Sequence, residues 1–166
     1  MDGPKPKPPP VLMVDDDADD RLMTERVLRD QRLVEDVRFV EDGQALMDYL
    51  RHEGPYADPA TSPRPGLILL DLNMPRKDGR EALNEIKADR RLRDIPIVVL
   101  TNSRADEDVA RSYDSGVNSF VAKPTSFREL TEALRVIGQY WFTVVCLPPT
   151  TEDSPHDDSH TPVPDR

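Results

Sequence analysis

Five short strand-like runs, mostly apolar, recur along the chain, at residues 11–14, 37–40, 67–70, 95–100 and 119–122, each followed by a stretch with helical spacing. A run such as Leu67-Ile68-Leu69-Leu70 shows no alternation of apolar and polar positions, which is the pattern of a strand covered on both faces. The helices predicted between the runs cover residues 18–32, 41–51, a stretch after Gly79, 104–115 and 126–141. Their inward residues are Met23 with Val27 and Leu22 with Leu28, then Leu46, Tyr49 and Leu50, then Ala82, Leu83 and Ile86. The last helix has the clearest periodicity, with Phe127, Leu130, Leu134, Ile137 and Trp141 at three- and four-residue steps. Strict alternation of strand and helix implies an α/β, doubly wound, five-stranded parallel sheet with right-handed crossovers.

The consequence is geometric. Every strand of such a sheet ends on the same edge, the edge where ligands of open α/β sheets bind. Asp15 and Asp16, Asp71, Thr101 and Lys123 each follow or end a run, so the fold gathers them although they are far apart in sequence. Taken alone, Asp71 reads equally as a turn or cap residue. Taken together, several carboxylates within a few ångströms repel by about 4 kcal/mol per pair at about 4 Å and an effective dielectric near 20. A hard divalent cation such as Mg²⁺ relieves that repulsion and prefers oxygen ligands. An acidic cluster, one Lys, one Thr and a metal add up to a phosphoryl site in which Asp71, on the central strand, is the natural nucleophile.

Composition narrows the partners. The net charge is −10, of which residues 151–166 carry −4 and residues 11–150 carry −7. An acidic body of this kind argues against nucleic-acid binding, which needs a basic face. One cysteine, Cys146, makes neither an internal disulfide nor a metal site, and no run is long enough to cross a bilayer, so the expected location is cytoplasmic without a membrane role. Residues 1–10 are Pro-rich and residues 148–166 are polar and acidic; both are expected to be disordered tails around a domain at 11–147. His156 and His160, in the second tail, have metal-like spacing but nothing around them to fix a geometry.

Over residues 11–141 the chain resembles the receiver domain of bacterial two-component response regulators. The resemblance rests on Val14-Asp15-Asp16, on Asp71-Leu72-Asn73-Met74-Pro75 with Gly79 beyond it, on Leu100-Thr101, and on Lys123-Pro124. It implies a flavodoxin-like (β/α)5 fold, strand order 2-1-3-4-5, in a stand-alone response regulator. Asp71 would accept a phosphoryl group from a phosphohistidine of a sensor kinase. Mg²⁺ would be held by Asp15, Asp16, Asp71 and the Asn73 backbone carbonyl, with Asp16 binding directly and Asp15 mainly through water. Lys123 would pair with the phosphoryl group, its bond to Pro124 would be cis, and Thr101 and Phe120 would form the switch pair. Asp17 extends the acidic run to three, and Asn102 and Phe120 stand where the family often has a smaller residue and a Tyr.

Two further readings use the same residues. An aspartyl-phosphate phosphatase would carry its nucleophile on the first strand with a second acid two residues later, whereas Asn73 occupies that place after Asp71. A receiver-like module that only binds would take up no phosphate. Turnover is not expected beyond self-phosphorylation and self-dephosphorylation. Residues 140–147, Tyr-Trp-Phe-Thr-Val-Val-Cys-Leu, continue apolar past the last helix and predict a homodimer through that helix and this arm. The arm and the Pro-rich loop at 52–65 resemble receivers that partner bacterial phytochrome kinases.

Overall fold

Aliphatic residues at consecutive positions leave a strand no polar face, so each must be roofed by helices on both sides. The computed structural model, which describes residues 8–30, 32, 34–74 and 76–149, realises that arrangement. The elements are β1 (Val11–Val14), α1 (Ala18–Asp30), β2 (Val37–Val40), α2 (Gly43–Arg51), β3 (Leu67–Leu70), α3 (Gly79–Ala88), β4 (Ile97–Thr101), α4 (Asp106–Asp114), β5 (Ser119–Ala122) and α5 (Phe127–Gln139). The strands form one sheet in the order β2-β1-β3-β4-β5 with every pairing parallel, the flavodoxin-like order expected.

Successive strand residues point to opposite faces and so build two cores. Leu12, Val14, Ile68, Leu70, Ile97 and Val99 meet Leu46, Met47, Leu83 and Ile86 of α2 and α3. Val11, Met13, Leu67, Leu69, Val98 and Leu100 meet Val27, Leu28, Leu130 and Leu134 of α1 and α5. α4 is different: Ser112 is its one buried residue, so little apolar packing holds it.

Several expectations are corrected. Leu22 and Phe127 are exposed, at 60% and 64%. Six residues of α-helix carry Leu22 about 240° round from Leu28, onto another face, and Phe127 is the first residue of α5, ahead of the stripe that Leu130 begins. α1 and α5 stop short of Arg32 and Trp141. β4 starts at Ile97, after Pro96, which has no N–H to give a ladder. The arm at 140–147 is less free than its composition suggests. It opens with a π-helical turn, Tyr140–Val144, that buries Trp141, and Phe142, Val145 and Leu147 pack on the α1/α5 core. The first tail is shorter than expected, because Pro10 is buried and its carbonyl accepts the Gly66 N–H at 2.9 Å. Residues 1–7 and 150–166, with His156 and His160, lie outside the described residues. Among those described, no helix is long and apolar enough to cross a membrane.

Gly79 ties the fold to the sheet edge. It opens α3 directly behind Asp71, where a methyl group would overlap the Asp71 carbonyl oxygen and stand 2.8 Å from Leu72 Cα. Overpacking of this kind costs about 1–3 kcal/mol, so Gly79→Ala is expected to lower the urea midpoint while leaving the slope of unfolding unchanged. A midpoint equal to the parent's would show that the turn yields freely.

Candidate functional site

Four chain segments, those following β1, β3, β4 and β5, deliver the site. The three acids after β1 divide by position: Asp15 is fully buried, Asp16 is exposed at the rim, and Asp17 turns away to cap α1. That cap is explicit, since Asp17 Oδ1 accepts the N–H groups of Asp19 at 2.9 Å and Asp20 at 3.2 Å. Asp71 leaves β3 at 6% exposure, and carboxylate oxygens of Asp15, Asp16 and Asp71 lie within 4.8 Å of one another. Thr101, at the end of β4, donates its hydroxyl to Asp71 Oδ1 at 2.8 Å. The Asn73 N–H approaches the same oxygen at 3.2 Å.

Lys123, just past β5, brings the one ammonium group. Its Nζ donates to Asp15 Oδ2 at 2.5 Å and to Asp20 Oδ2 at 2.9 Å, with Asp71 Oδ2 at 3.7 Å. Burial pushes the Asp15 carboxyl above its usual range despite the Lys123 hydrogen bond. Burial alone would lower the Lys123 ammonium, but its bonds and charges from Asp15, Asp20 and Asp71 carry it upward. The Lys123–Pro124 bond, expected cis, is trans; no described peptide bond is cis. Trans is the lower-energy isomer by about 0.5–1 kcal/mol, and the ammonium reaches its carboxylates in that form. Phe120 is half-buried against the α2/α3 core, and its N–H donates to the Tyr113 hydroxyl at 3.2 Å.

The donor set answers whether a metal fits. Three clustered carboxylates share one neighbouring ammonium, and every side-chain donor in the cluster is a hard oxygen, which suits a divalent cation. Asp16 and Asn73 also line an open cleft of about 310 Å³ together with Met74, Asp78 and Arg80, so the rim of the cluster is accessible.

Sequence reasoning missed Asp20 and the pair Arg80 and Asp108. The available signal was position alone: Asp20 and Arg80 fall in the first turns of α1 and α3, which begin at the site edge. Arg80 grips Asp108 of α4 with two bonds, at 2.8 and 2.7 Å, and Ser103 donates to the same carboxylate at 2.5 Å. The Arg80 guanidinium, then the Ser103 hydroxyl, hold the Asp108 carboxyl down at about 2, below its ordinary 3.8. A depressed carboxylate stabilises the fold fully above its unfolded value and loses that contribution as pH falls from 3.8 through about 2. Screening at this partly exposed position limits the effect to about 1 kcal/mol. Asp108→Asn is therefore expected to be less stable than the parent by about that much at neutral pH, with the gap closing as pH falls through this window, as read by chemical denaturation. A gap that does not change with pH would contradict the assignment.

Comparison with known proteins agrees with this architecture. Response regulator Rcp1 of Synechocystis sp. is 40% identical over 141 residues, which span 85% of this chain and 94% of that protein. The crystal structure of the Mn²⁺-bound form of Rcp1 matches with a TM-score of 0.80 at 39% identity, covering 86% of this chain and 100% of the other. The phosphorylated cyanobacterial phytochrome response regulator RcpA also gives 0.80 at 39% identity, covering 86% and 99%. Residues 11–135 match the response regulator receiver domain, and the chain belongs to that family.

Proposed function

We propose that the chain is the phosphoacceptor of a phosphorelay, taking a phosphoryl group onto Asp71 from a histidine kinase and changing its protein contacts as a result. The observation that carries this reading is the setting of Asp71: a buried carboxylate bonded by Thr101, facing Lys123, with Asp15 and Asp16 oxygens within 4.8 Å. Asp15, Asp16 and Asp71, with the Asn73 backbone carbonyl, would hold Mg²⁺. When bound, that ion offsets the charge of the carboxylates and of the phosphoryl oxygens.

An Asp71 oxygen attacks phosphorus, and the new O–P bond forms as the P–N bond of phosphohistidine breaks. The electron pair returns to the imidazole, whose other ring nitrogen carries a proton, so neutral histidine leaves. Lys123 pairs with the transferred group, and the Thr101 hydroxyl moves its hydrogen bond from Asp71 Oδ1 onto a phosphoryl oxygen. Phe120 follows on the α4 and β5 side. The added charge of about −1.5 to −2 favours one of two conformers already in equilibrium. Partnership with a phytochrome kinase is supported by the likeness to RcpA, which is described as a phytochrome response regulator.

Homodimerisation through α5 and the arm is supported by Val136, Tyr140 and Val144, which stay 50%, 53% and 68% exposed beside buried Trp141. Tyr140→Glu with Val144→Glu is expected to convert a dimer to a monomer in light scattering while thermal unfolding stays cooperative. An unaltered mass would place the interface elsewhere.

Acetyl phosphate with Mg²⁺ is expected to add the mass of one phosphoryl group to the chain, with no addition in Asp71→Asn and none after chelation of the metal. Equal labelling of Asp71→Asn would move the acceptor. Turnover of a generic phosphomonoester would favour the phosphatase reading instead.

A further inference from the structure

An ammonium group has three N–H donors, and Lys123 engages two of them away from Asp71. Asp15 Oδ2 and Asp20 Oδ2 accept at 2.5 and 2.9 Å, while Asp71 Oδ2 stands at 3.7 Å, near enough for attraction and too far for a hydrogen bond. The two competing carboxylates differ in kind. Asp15 is buried and belongs to the cluster that would face a cation. Asp20 lies outside that cluster, its side chain 27% exposed, on a first turn fixed by the Asp17 cap. A cation that claims the charge of Asp15 leaves Asp20 as a full partner for Lys123.

Resting on the receiver reading above, we infer that Asp20 is a positioning residue that holds Lys123 back from the phosphoryl group and so slows phosphoryl uptake. The ammonium must give up its Asp20 bond to reach a group forming on Asp71, and an acceptor site is faster when its charges already point where charge develops. The Lys123 side chain is only 4% exposed, so water is a poor substitute for the lost partner. Losing a competing hydrogen bond of this kind corresponds to about a three- to tenfold change.

The test uses the full chain with saturating Mg²⁺ and a series of acetyl phosphate concentrations. In each turnover the bond from an Asp71 oxygen to phosphorus forms as the phosphorus–oxygen bond to acetate breaks, and acetate leaves with the electron pair. Initial rates of mass gain are compared for the parent, Asp20→Asn, Asp20→Ser, Asp20→Glu and Asp19→Asn. Asp19 is the control for charge, because it is exposed in the same turn and is no partner of Lys123. Asp20→Asn and Asp20→Ser are expected to run about three- to tenfold faster, Asp20→Glu to return toward the parent rate, and Asp19→Asn to match it. Tm values measured alongside separate a tether from a positioning role, since a mere tether lowers Tm and leaves the rate. Rates for both Asp20 removals at or below the parent's, or equal acceleration in Asp19→Asn, overturn the inference. A parent that gains no mass overturns the receiver reading itself.

Discussion

The structure depends on a charge balance at one edge of a parallel sheet. Asp15, Asp16 and Asp71 crowd their oxygens within 4.8 Å, and the Lys123 ammonium, 4% exposed, is the nearest positive charge. Pairwise repulsion of about 4 kcal/mol at about 4 Å cannot be relieved by water at buried positions such as Asp15. Burial, with the Asp71 charge adding to it, carries the Asp15 carboxyl upward, and against its own burial the surrounding Asp15, Asp20 and Asp71 carboxylates carry the Lys123 ammonium upward. A cluster this negative suits a divalent cation.

Everything else in the fold serves to hold that crowding in place. Parallel pairing of β1, β3, β4 and β5 brings four chain segments to a common edge, and the roofed aliphatic strands behind them fix where each side chain emerges. The close approach of Gly79 to the Asp71 backbone lets α3 start without a gap. By contrast α4 is attached by polar bonds, from Arg80 and Ser103 to Asp108 and from Phe120 to Tyr113, over little apolar packing. An element held by a few polar bonds is the one that a change in local charge shifts most easily, and these bonds begin beside Thr101 and Asn73, next to Asp71.

The parallel α/β class and the gathering of Asp15, Asp16, Asp71, Thr101 and Lys123 were legible in the sequence, because alternating strands and helices put every strand end on one edge, whereas the strand order came from the resemblance to receiver domains. The division of labour among Asp15, Asp16 and Asp17 was not, since a cap and a buried carboxylate are the same residue type and differ only in how the chain turns. Asp20, Arg80 and Asp108 were missed for a related reason: acids in the first turn of a helix, as Asp20 and Asp108 are, suit the helix dipole anyway, and nothing local marks a partner 103 or 28 residues away. Phe127 shows the opposite error, since helical spacing extends a stripe past the point where the core ends.

The central claim is that a single carboxylate, Asp71, receives the phosphoryl group while its neighbours shape the site. The most direct measurement is to treat the phosphorylated chain with borohydride, which reduces an acyl phosphate to the alcohol, and to locate the altered residue by peptide sequencing. The account predicts conversion of Asp71 to homoserine and of no other residue. Conversion at Asp15, Asp16 or Asp20, or at none, would contradict it.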